Sequence, residues 1–239
     1  TNFGAAANQG DYIMITNNKL RLGATDWVAQ YETYRQSADG GGYNVVVVDI
    51  DELYDQFAAG IPKHPMSIRN FLSYAIDQWS VDPRFVLLLG KSISYNNFSS
   101  IYFENNLVPT FGYSPSDNML TVNDVNSYQP RLPVGRVSAT NGDAVRAYLQ
   151  KLIEYETDVP CTREAREWTK NVLHVSTAWS NAEQTQFLAN LANFENTIEG
   201  VQYGGNVTTF DDCANGCTPP NDPTTPFINA FNQGSSLVT

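Results

Sequence analysis

The stretch from Tyr43 to Ile50, YNVVVVDI, decides the fold of this chain. Its four consecutive valines, Val45–Val48, show no polar alternation, a pattern typical of a strand buried on both faces. We therefore predict a central strand of a parallel sheet here. The glycines Gly40–Gly42 precede it and end a helix predicted from Ala24 to Ser37.

Strands and helices alternate outward from this stretch. We predict strands at Asp11–Thr16, Phe85–Gly90 and Leu132–Val137, and helices at Met66–Trp79 and Asn141–Glu156. An Asp-rich turn is expected directly after Ile50, and Lys91–Pro130, rich in Asn, Ser, Tyr and Pro, is interpreted as a long excursion from the sheet. Right-handed crossovers place helices on both faces of a parallel sheet. The class is therefore α/β, with a three-layer α/β/α sandwich.

A second set of alternating elements follows a boundary segment at Thr157–Glu167. It comprises strands at Asn171–Ala178 and Asn206–Phe210, helices at Ala182–Ile198 and Thr224–Phe231, and a strand that starts at Ser235. We predict two subdomains, residues 1–159 and residues 160–239, of which the second is incomplete.

Composition narrows the function classes. The chain carries 14 Lys and Arg against 25 Asp and Glu, a net charge of -11, which repels nucleic-acid phosphates. No apolar run approaches the roughly 20 residues that a membrane helix needs. We expect a folded domain that neither binds nucleic acid nor spans a membrane.

The three cysteines suggest one local disulfide. Cys213 and Cys217 lie close together in DDCANGCTPP, whereas Cys161 stands alone. Two free thiols are the alternative. A zinc site is not expected, because zinc needs four ligands and neither histidine lies near this pair in sequence. A disulfide would indicate an oxidising compartment.

Conventional catalytic motifs are missing from the sequence. Asp49 and Asp51, with Lys91, could form a magnesium site of the phospho-acceptor receiver type, but Thr16 stands where such a site needs an acid, and helix capping explains the two aspartates better. No Gly-x-Ser-x-Gly elbow is present. His64 is interpreted as a loop residue at the surface and His174 as a core residue inside a strand.

Several longer blocks together resemble the gingipain-type cysteine peptidases. They are DYIMIT, YNVVVVDIDELYDQFAAGIPKHPMSIRNFLSYA, FVLLLG, PRLPVGRVSAT with DAVRAYLQKLIEYE, and INAFNQGSSLV, in that order along nearly the whole chain. The resemblance implies a caspase-like fold and the N-terminal portion of a catalytic domain. It also implies hydrolysis of peptide bonds in protein substrates by a Cys–His dyad.

In that family, a Gly-His-Gly turn with the catalytic histidine follows the segment similar to FNQGSSLV, and the cysteine ends a later strand. We therefore expect no catalytic residue within residues 1–239, and both dyad residues beyond Thr239. The resemblance further implies a secreted or cell-surface protein, made with a signal peptide and exported by type IX secretion. A non-catalytic interaction or assembly module with the same fold is the alternative.

The resemblance also suggests binding residues. Glu183, the only acid of the loop Trp179–Gln184, is the candidate for a substrate pocket that takes a basic side chain, although stabilisation of a helix start explains it as well. No cofactor is required. A structural calcium ion recurs in that family, and its ligands here would come from Asp117 and Asp124 or from Asp211 and Asp212. The sequence has no calcium-binding loop motif, so no metal is assigned.

Overall fold

The computed structural model describes residues 1–94, 103–122, 129–157, 162, 164–213 and 224–239. The chain divides into two compact units, Thr1–Asp158 and Val159–Thr239. The elements of the first unit are β1 (Tyr12–Thr16), α1 (Trp27–Gln36), β2 (Val45–Asp49), α2 (Ile50–Phe57), α3 (Met66–Gln78), β3 (Phe85–Leu89), β4 (Val134–Val137) and α4 (Gly142–Thr157). Those of the second are β5 (Asn171–Ala178), α5 (Asn181–Ile198), β6 (Asn206–Cys213), α6 (Thr224–Asn232) and β7 (Leu237–Val238). Short 3-10 helices lie at Ala6–Asn8, Asn18–Arg21, Phe103–Asn105, Asn118–Leu120 and Glu164–Lys170.

The first sheet is parallel, with the strand order β2-β1-β3-β4. The strand β1 lies in its middle, and all five of its residues are buried. The valine strand β2, predicted to be central, instead pairs only with β1 among the described strands. Helices nevertheless cover both faces of β2. Its apolar run therefore results from the helix layers on the two faces of the sheet and does not indicate a central position in the strand order.

The expected Asp-rich turn after β2 is wrong, because the chain enters helix α2 at once. The carboxylate of Asp49 caps this helix by accepting a hydrogen bond from Asp51 N, 3.0 Å away. Asp51 and Glu52 occupy its first turn, where negative charge stabilises a helix. Leu53, fully buried, anchors the helix to the sheet.

Two apolar layers sandwich the first sheet, which confirms the α/β/α arrangement. On one face the buried apolar residues of α2 and α3 are Ile50, Leu53, Tyr54, Ile68, Phe71, Leu72 and Ala75, packed with Ile13, Ile15, Val48, Val86 and Leu88. On the other face those of α1 and α4 are Val28, Tyr31, Val145 and Leu149, packed with Tyr12, Met14, Val45, Leu87 and Leu89. Alternate strand residues therefore face opposite helix layers.

The second sheet is also parallel, with the order β6-β5-β7. Gln184 of α5 donates a hydrogen bond to Asp211 of β6, whereas Phe227 of α6 packs edge-on against Phe210, with 5.5 Å between ring centroids. Because neighbouring strand residues face opposite sides, α5 and α6 lie on opposite faces of this sheet. None of the helices described is long and apolar enough to cross a membrane.

Candidate functional site

The turn that follows β5 holds the predicted substrate-pocket residue. The hydroxyl of Ser180 accepts a hydrogen bond from Glu183 N (3.3 Å), and the carboxylate of Glu183 accepts one from Trp179 N (3.1 Å). The two hydrogen bonds form a variant of the capping box, in which the glutamate accepts from the residue before the N-cap, and they fix the start of α5. Glu183 therefore lies at the carboxyl edge of the second sheet, beside the exposed ring of Trp179.

A polar strip on β5 leads up to this edge beneath α5. Ser176 pairs in register with Asp211, and Gln184 Nε2 donates to Asp211 Oδ2 at 3.1 Å. His174 lies two residues before Ser176, on the same face, and is 1% exposed, as predicted for a core histidine. Its Nδ1 and the Ser176 hydroxyl are buried and have no hydrogen-bond partner within the described part of the chain.

The carboxyl edge of the first sheet carries Asp49, Asp51 and Lys91. Asp49 accepts hydrogen bonds from Asp51 N and from the Asn18 amide, so it has the capping role that the sequence favoured over a magnesium ligand. Burial raises the pKa of Asp49, and the negative charges of Asp51 and Glu52 add to this effect. The backbone N–H of Lys91 donates to Ala139 O, and Lys91 is exposed.

One arginine, Arg136, makes several hydrogen bonds between the sheet and the excursion that follows β3. Arg136 on β4 binds Asp117 with two hydrogen bonds, Nε to Oδ2 at 2.7 Å and Nη2 to Oδ1 at 2.8 Å. Its Nη1 also donates to Gly90 O (2.7 Å) and Val108 O (2.8 Å), and its Nη2 to Pro109 O (3.3 Å). Burial alone would raise the pKa of Asp117, but the Arg136 guanidinium holds it below its ordinary value.

One member of each candidate calcium pair lies outside the described side chains, so both pairs stay predictions. Asp117 is engaged by Arg136, and Asp211 accepts from Gln184. Asp124 and the side chain of Asp212 lie outside the description. No three His, Cys, Asp or Glu side chains in the described ranges lie together as a metal site would require.

The remaining candidates have local positions. His64 is half-buried, and its Nδ1 accepts a hydrogen bond from Met66 N at 3.2 Å, at the start of α3. Cys213 ends β6. Cys161 and Cys217 lie outside the described residues, so the disulfide between Cys213 and Cys217 stays a prediction.

Sequence reasoning missed two groups in the first unit. The partners of Arg136 are dispersed over the excursion, and no short motif joins them. Asn106 is 2% exposed, and its Oδ1 has no hydrogen-bond partner among the residues described. Neither pattern is visible before the chain is folded. The capping box of Ser180 and Glu183, by contrast, follows a spacing that is visible in the sequence.

Comparison with known proteins agrees with this architecture. The chain matches the sequence profile of peptidase family C25 over residues 5–239. The crystal structure of the Arg-specific cysteine proteinase gingipain R matches 97% of this chain and 46% of its own, with 18% identity and a TM-score of 0.58. The complex of the RgpB pro- and mature domains from Porphyromonas gingivalis matches 96% and 47%, with 18% identity and a TM-score of 0.56. No curated protein matches by sequence.

The two parallel sheets with their flanking helices thus define a caspase-like α/β fold of the gingipain kind. The chain belongs to peptidase family C25, because the family profile spans nearly all of it. It spans just under half the length of the gingipain structures that it matches.

Proposed function

We propose that this chain is part of an exported cysteine endopeptidase whose Cys–His dyad lies beyond Thr239. The membership of peptidase family C25 supports the reaction class. The sequence within residues 1–239 supports the position of the dyad, because His174 is buried inside β5 and His64 contacts the start of α3. Export, type IX secretion and a structural calcium ion are part of the same proposal and rest on the resemblance alone. The disulfide is also part of it and rests on the close spacing of Cys213 and Cys217 in the sequence.

The register of β7 carries this proposal. Leu237 pairs with Val172 and Val238 with Leu173, and Val175 N donates to Thr239 O at 2.7 Å. The strand therefore runs parallel to β5, toward Ala178 and the capped turn that holds Glu183. Continued in this register, about four further residues reach the level of Ala178. A Gly-His-Gly turn there would place its histidine at the carboxyl edge, where α/β folds build their sites.

The chemistry at such an edge would be acyl transfer. The histidine takes the proton of the cysteine thiol, and the thiolate attacks the carbonyl carbon of the scissile peptide bond. The histidine then gives the proton to the leaving amine, and an acyl-enzyme thioester remains. Water attacks the thioester, with its proton passed to the histidine, and the carboxylate product leaves as the thiol is restored.

This proposal is tested with the protein that includes the residues following Thr239. We expect it to cleave fluorogenic peptides, and we expect iodoacetamide to abolish the cleavage by alkylating the nucleophile. The chain 1–239, prepared in parallel, should show no turnover. Turnover by 1–239 that alkylation abolishes would refute a dyad beyond Thr239. If the longer protein lacks one of the two dyad residues, or shows no turnover, the result would instead support the non-catalytic interaction module.

We further propose that Glu183 selects a basic side chain in the substrate. Glu183→Gln keeps the capping box, since glutamine serves at this position, and removes the negative charge. In the active protein, we expect the preference for arginine over leucine peptides, measured as kcat/KM, to fall about tenfold or more, as for a lost charge-assisted hydrogen bond. Glu195→Gln, the same change elsewhere on α5, should leave the preference intact. An unchanged preference in Glu183→Gln would leave Glu183 as a capping residue alone.

A further inference from the structure

An apolar pocket of about 600 Å³ opens on the first unit and is lined by residues of that unit alone among those described. One wall is the α2–α3 loop, Ile61–Met66, and the other is Thr110–Tyr113 of the excursion. Ile61 and Tyr113, at 53% and 73% exposure, are among the large apolar side chains at its rim. The volume lies in the range of small-ligand sites, which are mostly apolar with a few placed polar groups.

Backbone strain on one side and hydrogen bonds on the other constrain the walls of this pocket. Ala59 and Lys63, with φ of 52° and 60°, are the non-glycine residues with a positive φ in the described chain, and both belong to the segment that leads into the pocket. Strained backbone of this kind persists where the surroundings enforce it, often at binding sites. On the opposite wall, Arg136 binds Val108 O and Pro109 O just before Thr110. A preformed pocket costs little ordering when a ligand enters.

The polar group at this pocket is Asn106. Asn106 is one of the residues that line the pocket, and its Oδ1 is buried without a hydrogen-bond partner in the described part of the chain. A carboxamide offers one acceptor and two donors, the complement of the N–H and C=O of a peptide group. Lys63, also in the wall, is already engaged: its ammonium donates to Phe103 O and lies 3.9 Å from the Phe103 ring centroid. The pocket therefore favours a neutral amide over an anion.

We propose that this pocket binds a peptide segment, with a large apolar side chain in the cavity and the adjoining peptide group on Asn106. This role goes beyond the proposed hydrolysis and holds whether or not the bound segment is cleaved.

The three methionines of the chain provide the test. Met66 lines the pocket, whereas Met14 is fully buried in the sheet of the same unit. The protein is labelled with methyl-¹³C methionine and titrated with N-acetylphenylalaninamide, with N-acetylglycinamide as the probe that lacks the side chain. We expect a saturable shift of the Met66 signal with the first probe only, and no shift of Met14. Met66→Leu assigns the signal. We expect the same shift in iodoacetamide-treated protein, so a failure of hydrolysis does not affect this test.

Asn106→Leu separates recognition from folding. It replaces a buried carboxamide, whose Oδ1 has no hydrogen-bond partner among the residues described, by an apolar group of similar size. The thermal midpoint should therefore stay level or rise, while the Kd for the probe rises about tenfold or more. Asn105→Leu, at the exposed neighbouring position, should leave the Kd unchanged. Ile61→Ala, at the exposed rim, should also weaken binding.

Three results would overturn the proposal. The first is a Met66 signal that does not respond in the wild type. The second is an Asn106→Leu variant that binds like the wild type. The third is an Asn106→Leu variant with a lowered midpoint, combined with unchanged binding in Ile61→Ala, which would assign Asn106 to the core.

Discussion

Replacing Arg136 with methionine is expected to lower the free energy of unfolding by about 3–5 kcal/mol, the range measured when one partner of a buried ion pair is removed. The side chain of Arg136 is 12% exposed and that of Asp117 is 23% exposed, so the remaining carboxylate would stay largely desolvated. The carbonyls of Gly90, Val108 and Pro109 would lose their donor at the same time. The excursion would then be held at the first sheet by its buried apolar residues, such as Leu107, Val108 and Leu120.

Urea unfolding followed by circular dichroism measures this loss. Arg131→Met is the matched control, because Arg131 also pairs with an aspartate, Asp77, at 2.6 Å, but that carboxylate is 49% exposed. Ion pairs of that kind contribute up to about 1 kcal/mol. Equal losses in the two variants would show that the carbonyl contacts of Arg136 add nothing.

The same ion pair predicts acid sensitivity. The pKa of Asp117 lies below its ordinary value of 3.8 in the folded protein. Its contribution to stability is therefore complete above the ordinary pKa and is lost as the pH falls through the folded-state pKa. In Arg136→Met this part of the pH dependence should be smaller than in the wild type, since Asp117 then lacks the cation that lowers its pKa.

The layers of the first unit were predictable because they depend on local patterns. Apolar residues at helical spacing in α3 and α4, and unbroken apolar runs in β1 and β3, indicate their elements without knowledge of any partner. The order of the strands in the sheet could not be predicted from such local patterns. Four valines show that both faces of β2 are covered by helices. They do not show whether β2 has a strand neighbour at one edge or at both, so its position beside β1 was known only from the structure.

Helix α2 shows a second limit of prediction from local sequence patterns. Its eight residues include three acids, which suggest a turn by composition, and the decisive interaction is the cap that Asp49 provides. The candidate site residues differ in the same respect.

The Ser180–Glu183 capping box has a fixed spacing and can be predicted from the sequence. The roles of Arg136 and Asn106 depend on residues that folding brings near them, such as Gly90 and Lys63, and cannot be predicted in this way.

Arg35→Ala is expected to have the second-largest effect, a loss of about 3 kcal/mol in the free energy of unfolding. Arg35 on α1 connects that helix to α4, with Nη1 3.0 Å from Glu156 Oε1, and the Tyr34 hydroxyl donates to Glu156 Oε2 at 2.7 Å. The guanidinium also lies 5.7–5.9 Å from the ring centroids of Tyr12, Tyr31 and Tyr34. Removing it therefore breaks an ion pair and opens a space among three aromatic rings.

Arg146→Ala provides the control for this prediction. Arg146 has the same kinds of contact, an aspartate at 3.4 Å and an indole ring at 5.9 Å, but its side chain is 43% exposed against 14% for Arg35. Since solvent screens exposed charges, Arg146→Ala should cost less than about 1 kcal/mol. Thermal unfolding of both variants measures the two losses of stability. If they lose the same amount, burial of the cation between α1 and α4 does not set the strength of their connection, and the apolar contacts of Val28 and Leu149 hold the two helices together.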